Sequence, residues 1–258
     1  DSSVLDEIAD AAEIDGGVLE IGPGFGVLTK RLCETGKKVV SVEIDHRLIP
    51  VLNYTLAEFD NVEILEQDIM KTDVRALIDE KFGGEKISVA ANLPYYITTP
   101  IITKLIEDRL PLKNIVVMVQ KEVAERIAAK PGKKDYGAIS VLCQYYTEPR
   151  LVTVVPAGSF YPAPKVDSAV LCMRVLDKPA VRVEDEKSFF KVVKSAFAQR
   201  RKTLLNCLAS GFGLDKQQLS DLLESVEIDP KIRGEKLGLA EFARISDALC
   251  KLDNGANM

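Results

Sequence analysis

The chain has 258 residues, 47% hydrophobic and 28% charged, with a net charge of −5. This is enough for one large domain or two unequal ones, and the composition builds a core rather than a disordered tail. Charges interrupt every apolar stretch well short of the ~18 residues a membrane span needs, so no membrane partner is expected. The opening Asp1-Ser-Ser-Val-Leu-Asp-Glu7 has neither the basic nor the apolar region of a signal peptide, and with no Met ahead of it further upstream residues are expected. Five well-separated cysteines (Cys33, Cys143, Cys172, Cys207, Cys250) contain no CxxC pair, which disfavours a disulfide framework or a zinc site and suits a reducing, cytoplasmic setting. The single histidine, His46, is read as a surface residue starting a helix. A Ser-His-Asp hydrolase and a His-rich metal site are therefore disfavoured, and no metal is expected.

Residues 3–14 carry Val4, Leu5, Ile8 and Ala12 at helical spacing, and Gly16-Gly17 ends that helix. Residues 18–21 read as a short buried strand entering a glycine-rich turn, and 28–35 as a helix closed by Gly36. Strands are predicted at 38–43, 62–65, 87–91 and 115–119, with a helix over 47–59. This alternation is that of a Rossmann-like α/β fold with a mostly parallel sheet. Residues 139–146 read as helix or strand, and 151–155 and 169–175 as strands, giving seven in all. A proline-rich loop, 155–164, lies between the last two. Residues 177–180 read as a linker. From 184 onward only helical spacing is found, beginning with Phe189, Val192, Val193, Ala196 and Phe197. Two domains are expected: 1–178, Rossmann-like, and 179–258, a small all-α domain.

Glu20-Ile-Gly22-Pro-Gly24-Phe-Gly26 leaves a strand and enters a helix. Glycines there let backbone approach a ligand closely. The dinucleotide fingerprint would need Gly at 27, which is Val, so the spacing is GxGxG. Glu43 ends the next strand, placed to accept hydrogen bonds from two ribose hydroxyls. Asp68 follows the third strand in Gln67-Asp-Ile69 and could accept a hydrogen bond from an adenine amino group. Together these describe a nucleoside pocket, although a tight turn with two solvated acids has the same letters.

Asn92-Leu-Pro-Tyr-Tyr96 follows the fourth strand. Methylating an adenine amino group requires a nitrogen lone pair that is delocalised into the ring. The Asn92 side-chain oxygen and the Leu93 carbonyl can accept hydrogen bonds from that amine and favour its pyramidal form. Pro94 stiffens the turn, and Tyr95 offers a ring on which a base can stack. No strong general base is needed, because the nitrogen becomes acidic once it is methylated.

These motifs, with Phe160-Tyr-Pro-Ala-Pro-Lys-Val-Asp-Ser168 and Phe197-Ala-Gln-Arg-Arg-Lys-Thr-Leu204, resemble the KsgA/RsmA family over almost the whole chain. These are S-adenosylmethionine-dependent dimethyltransferases of two adjacent adenosines near the 3′ end of small-subunit ribosomal RNA. The resemblance implies that Glu20, Gly22, Gly24, Glu43, Ile44, Asp68, Ile69 and Asn92 hold S-adenosylmethionine. It implies that Asn92, Leu93, Pro94 and Tyr95 hold the target amine and that Phe160 stacks on the base's other face. The family pattern opens with a Gln-(Asn/His)-Phe-Leu segment closing over the methionine part of the cofactor, and this sequence begins just after where that segment would lie.

Residues 187–210 carry six basic and no acidic residues, whereas from 211 onward acids outnumber bases nine to six. A basic block in an acidic chain is a candidate phosphate-binding face. Arg200, Arg201 and Lys202 are its centre, with Lys133, Lys134 and Lys165 as further RNA contacts; a solvated helix face would have the same composition. The expected partner is small-subunit ribosomal RNA in the 30S subunit or its precursor, met by a monomer. Two other readings compete. One is a large-subunit methyltransferase of the macrolide-resistance type, disfavoured by Leu93, the Lys133-Lys-Asp-Tyr-Gly137 loop and the long helical C-terminal part. The other is a non-catalytic ribosome-assembly factor, disfavoured as a sole role by the intact Asn92–Tyr95 motif. A nicotinamide-dependent dehydrogenase fails on the glycine spacing.

Overall fold

The computed structural model describes residues 2–160 and 163–255; Tyr161 and Pro162 of the proline-rich motif lie outside them. The chain folds as two compact units. The first comprises the residues up to Ala124 together with Glu148–Val175. The second comprises Glu125–Thr147 together with the residues from Leu176 onward.

The first unit holds a seven-stranded sheet. Its strands are β1 (Val18–Ile21), β2 (Val39–Glu43), β3 (Val62–Glu66), β4 (Ile87–Asn92), β5 (Leu112–Gln120), β6 (Thr147–Val155) and β7 (Ser168–Val175). The order is β3-β2-β1-β4-β5-β7-β6. The pairings from β3 through β5 are parallel, and β7 runs antiparallel to β5. Strands of a parallel sheet are covered on both faces, which is why β1, β2 and β4 read as near-continuous apolar runs. The chain winds outward one way through β2 and β3, then returns past β1 to β4. The crevice at the carboxyl ends of β1 and β4 is thus a topological switch point, where open α/β sheets take their ligands.

Helix α1 (Ser2–Ala12) packs on β4 and β5, and α2 (Val27–Cys33), α3 (Ile49–Thr55), α4 (Val74–Phe82) and α5 (Thr98–Glu107) follow in the α/β alternation. The predicted strands are all present. β5 is longer than its apolar centre suggested, because Leu112, Asn114 and Gln120 also pair. The helix predicted over 47–59 is confined to 49–55, after a turn in which His46 is exposed.

The second unit is helical: α6 (Lys121–Ala128) leads into it, followed by α7 (Ala138–Tyr146), α8 (Glu186–Phe197), α9 (Leu204–Phe212), α10 (Lys216–Ser225) and α11 (Leu239–Gly255). The region 139–146, ambiguous by sequence, is helix. The second segment of the first unit ends at Val175. Residues 125–147, placed by sequence in the first domain, instead belong with the C-terminal helices. The cause is apolar: Tyr136, Val141 and Tyr145 are buried in one cluster with Phe189, Val192, Leu208 and Phe242. Asp185 caps α8 by accepting the Ser188 amide at 2.8 Å. All five cysteines are free thiols, and among the described residues no helix is long and apolar enough to cross a membrane.

The end of α1 is fixed by side chains from the sheet. Ala12 carbonyl, at the helix's last residue, accepts from Ser88 Oγ (2.5 Å) and Asn114 Nδ2 (3.2 Å), both buried. Orphaned carbonyls at a helix end need such partners. Either donor alone satisfies one lone pair, so Ser88→Ala and Asn114→Ala should each cost about 1 kcal/mol, and the double variant more than the sum. Urea denaturation of the four proteins checks this; strictly additive losses would contradict it.

Candidate active site

The turn after β1 opens a cavity of about 450 Å³. It is lined from the sheet edge by Glu20, Gly22, Gly24, Asn92 and Met118, from α1 by Leu5 and Ile8, and from the proline-rich loop by Phe160. Gly22 and Gly24 have φ of 69° and 60°, a region L side chains rarely adopt. A Cβ built on either would meet nothing within 4 Å, so the backbone there faces open space rather than a packed neighbour. That is the arrangement expected of backbone kept bare for a ligand.

Glu43 stands beside this turn and is 5% exposed. Its Oε2 accepts the Gly24 amide at 3.2 Å and its Oε1 the Asp45 amide at 2.8 Å. The second strand's terminal carboxylate is thereby held against the glycine turn of the first. Ile44, next in the chain, is 66% exposed. Asp68 follows β3, with Oδ1 accepting the Met70 amide at 2.9 Å and Oδ2 3.6 Å from Lys71 Nζ. Ile69 is buried behind it. Glu43, Ile44, Asp68 and Ile69 lie at the same carboxyl edge of the sheet but do not line the cavity itself.

Glu20 is the floor of the cavity. It sits in a four-residue strand that is buried throughout, opposite Ser41 in the parallel register of β1 and β2. Ser41 Oγ donates to Glu20 Oε2 at 2.7 Å. Burial pushes the Glu20 carboxyl up to about 7, with the Ser41 hydrogen bond opposing the shift.

The Asn92–Tyr95 turn is held at several points. Asn92 ends β4 opposite Met118 of β5, and its side chain is exposed. The Leu93 amide donates to Met118 carbonyl at 3.1 Å, and the Leu93 side chain is buried. Pro94 carbonyl accepts from the Ile97 amide and from Thr98 Oγ1, both at 3.1 Å. Tyr95 and Ser168 hydroxyls share a hydrogen bond of 2.8 Å. Phe160 is half-buried against the core beneath the sheet edge while one face borders the cavity.

Of the predicted RNA contacts, Lys165 is exposed on the loop before β7 in the first unit, and Lys133, Lys134, Arg201 and Lys202 are exposed in the second. Arg200 differs from them. Its guanidinium donates to Lys134 carbonyl and, at 3.4 Å, to Tyr136 carbonyl, and lies 3.8 Å from Glu235. It braces the basic loop instead of standing free. Sequence reading missed Ser41, Met118, Thr98, Ser168 and the α1 wall; only Ser168 stood inside a recognised motif, with no role attached.

A family model described as ribosomal RNA adenine dimethylase matches residues 1–251. The chain belongs to the ribosomal RNA adenine dimethylase family. It is 52% identical to ribosomal RNA small subunit methyltransferase A of Bacillus cytotoxicus over 255 residues, covering 96% of this chain and 87% of the relative. The corresponding protein of Bacillus mycoides is 51% identical with the same coverage. Among solved structures, a dimethyladenosine transferase from Plasmodium falciparum superposes with a TM-score of 0.80 at 26% identity, over 99% of this chain and 97% of that one. The 23S rRNA methyltransferase ErmE superposes at 0.76 over 97% and 98%, but at 23% identity this likeness shows the fold alone.

A carboxyl raised by burial stays protonated in the folded chain while the unfolded chain ionises. Stability then falls as pH rises from the ordinary value of 4.5 toward about 7 and levels off above it. Glu20→Gln removes this dependence. Relative to the native chain, the Gln protein should gain up to about 3 kcal/mol between pH 4.5 and 8. Urea melts at the two pH values test this, and parallel pH profiles would contradict it.

Proposed function

We propose that the chain transfers methyl groups from S-adenosylmethionine to the exocyclic amines of two adjacent adenosines near the 3′ end of 16S ribosomal RNA, in the small subunit or its precursor. The observation that carries this reading is the Asn92–Tyr95 turn, fixed to β5 and β7 and opening beside the glycine-turn cavity at the switch point. The relatives at 51–52% identity are named for the small subunit, which favours it over the large-subunit alternative.

S-adenosylmethionine, when bound, supplies an electrophilic methyl group. The residues here fit it: bare backbone at Gly22 and Gly24, a pinned carboxylate at Glu43 for ribose hydroxyls, and Asp68 for an adenine amino group. Ile44 supplies exposed apolar surface for the flat base, Ile69 is buried at the same edge, and Glu20 closes the floor.

The Asn92 side-chain oxygen and the Leu93 carbonyl accept hydrogen bonds from the target amine. They orient its lone pair and stabilise the positive charge that develops on nitrogen. Tyr95 and Phe160 flank the base. The proton leaves to water, because the methylated nitrogen is strongly acidic and needs no buried base. Each adenine has to be unpaired or swung out of its helix to reach this turn. Lys133, Lys134, Lys165, Arg201 and Lys202 hold phosphates, which supplies affinity without reading sequence. Arg200 sets the loop that presents Lys133 and Lys134. The protein works as a monomer in the cytoplasm, on a helical RNA-binding unit joined to the methyltransferase unit.

Asn92→Ala should lower methyl transfer by at least about a hundredfold, as loss of a preorganised transition-state partner does, while RNA affinity stays within about twofold. Single-turnover transfer and filter binding measure the two. Native turnover in the variant would refute the assignment.

A further inference from the structure

Ser168 stands outside the cavity. It is the first residue of β7, 1% exposed, and pairs in antiparallel register with Gln120 at the end of β5. Its hydroxyl meets the Tyr95 hydroxyl at 2.8 Å. The two residues are 73 positions apart in the chain. The residue before it, Asp167, makes two further ties. Its carbonyl accepts the Lys121 amide at 3.0 Å, and its carboxylate accepts the Ala157 amide at 3.0 Å. Ala157 opens the short 3-10 turn, Ala157–Ser159, that delivers Phe160.

Adjacent residues therefore hold two aromatic walls: Asp167 anchors the turn that carries Phe160, and Ser168 anchors the tip of the Tyr95 ring. A tyrosine ring has two rotatable bonds. The Asn92–Tyr95 turn fixes its root through the Leu93 amide and Pro94 carbonyl, and Ser168 fixes its far end. Tyr95 is otherwise 36% exposed and would have room to swing. With its hydroxyl engaged by a neutral serine, it is placed as a wall and not as a proton carrier.

We infer that Ser168 is a positioning residue for methyl transfer: by holding the Tyr95 hydroxyl it sets the ring against the target base, and with Asp167 it fixes the spacing between the Tyr95 and Phe160 walls. This rests on the reading of the Asn92–Tyr95 turn given above. A base held loosely between its walls spends less time with its amine aligned, so loss of the tie should appear in kcat more than in KM.

The test is a double-mutant cycle of Ser168→Ala and Tyr95→Phe, each variant checked for a native melting curve. Transfer to unmethylated small subunits is read alongside the fluorine spectrum of protein labelled with 3-fluorotyrosine. The seven tyrosines give few lines, and Tyr95→Phe identifies the one from Tyr95. Each single variant should lose about fivefold in kcat, the loss of one neutral hydrogen bond, and the double variant should lose no more than either. The Tyr95 fluorine line should shift and narrow in Ser168→Ala without RNA present. Multiplied losses in the double variant, or native turnover in Ser168→Ala despite a changed fluorine line, would overturn the assignment. A native chain inactive on small subunits would overturn the underlying reading and the catalytic role with it. The fluorine line, read without RNA, separates that case from failure of the Ser168 contact.

Discussion

Parallel pairing of β1 with β2 on one side and β4 on the other is the constraint on which the site depends. It brings three chain segments out of the sheet at one edge: the glycine turn after Ile21, Glu43 at the end of β2, and Asn92 at the end of β4. None of these is close to the others in sequence. The hydrogen bond from the Gly24 amide to Glu43 is the direct expression of that geometry, a carboxylate from one strand end clamped to the bare backbone of the next. The antiparallel strand β7 extends the same logic outward. It carries Ser168 beside the end of β5 and so ties the Asn92–Tyr95 turn to the loop bearing Phe160.

A carboxyl at Glu20, in a strand otherwise buried among apolar side chains, is a local cost to the fold. Burying an ionised group is expensive unless it is partnered, and one serine hydroxyl offsets only part of that. A fold-stabilising residue at this position would be apolar. Glu20 lines the cavity, and functional sites are where sequences most often break their own packing rules.

The centre of the sheet, β1, β2 and β4, was legible because parallel strands buried on both faces must be short apolar runs, whereas the apolar stretch 139–146 folds as α7. The meeting of the glycine turn with Glu43 at one edge of the sheet was legible for a related reason: glycine spacing and strand-end acids are local patterns that the α/β topology brings together. Three things were not legible. Residues 125–147 belong to the helical unit because Tyr136, Val141 and Tyr145 bury against Phe189 and Phe242, a pairing visible only after folding. Arg200 looked like one more phosphate ligand in a basic run, yet its guanidinium satisfies the carbonyls of Lys134 and Tyr136. Charge counts along a chain cannot separate a cation that faces solvent from one that braces a loop. The Tyr95–Ser168 contact likewise joins two residues whose local sequences say nothing of each other.

The central claim is that the pocket and the Asn92–Tyr95 turn together methylate adenine in small-subunit RNA. The most direct measurement is transfer from isotopically labelled S-adenosylmethionine to unmethylated small ribosomal subunits, followed by mass spectrometry of the nucleosides. The account predicts labelled N6,N6-dimethyladenosine at two adjacent positions near the 3′ end of 16S RNA. Failure to bind S-adenosylmethionine, or label arriving only in large-subunit RNA, would contradict it.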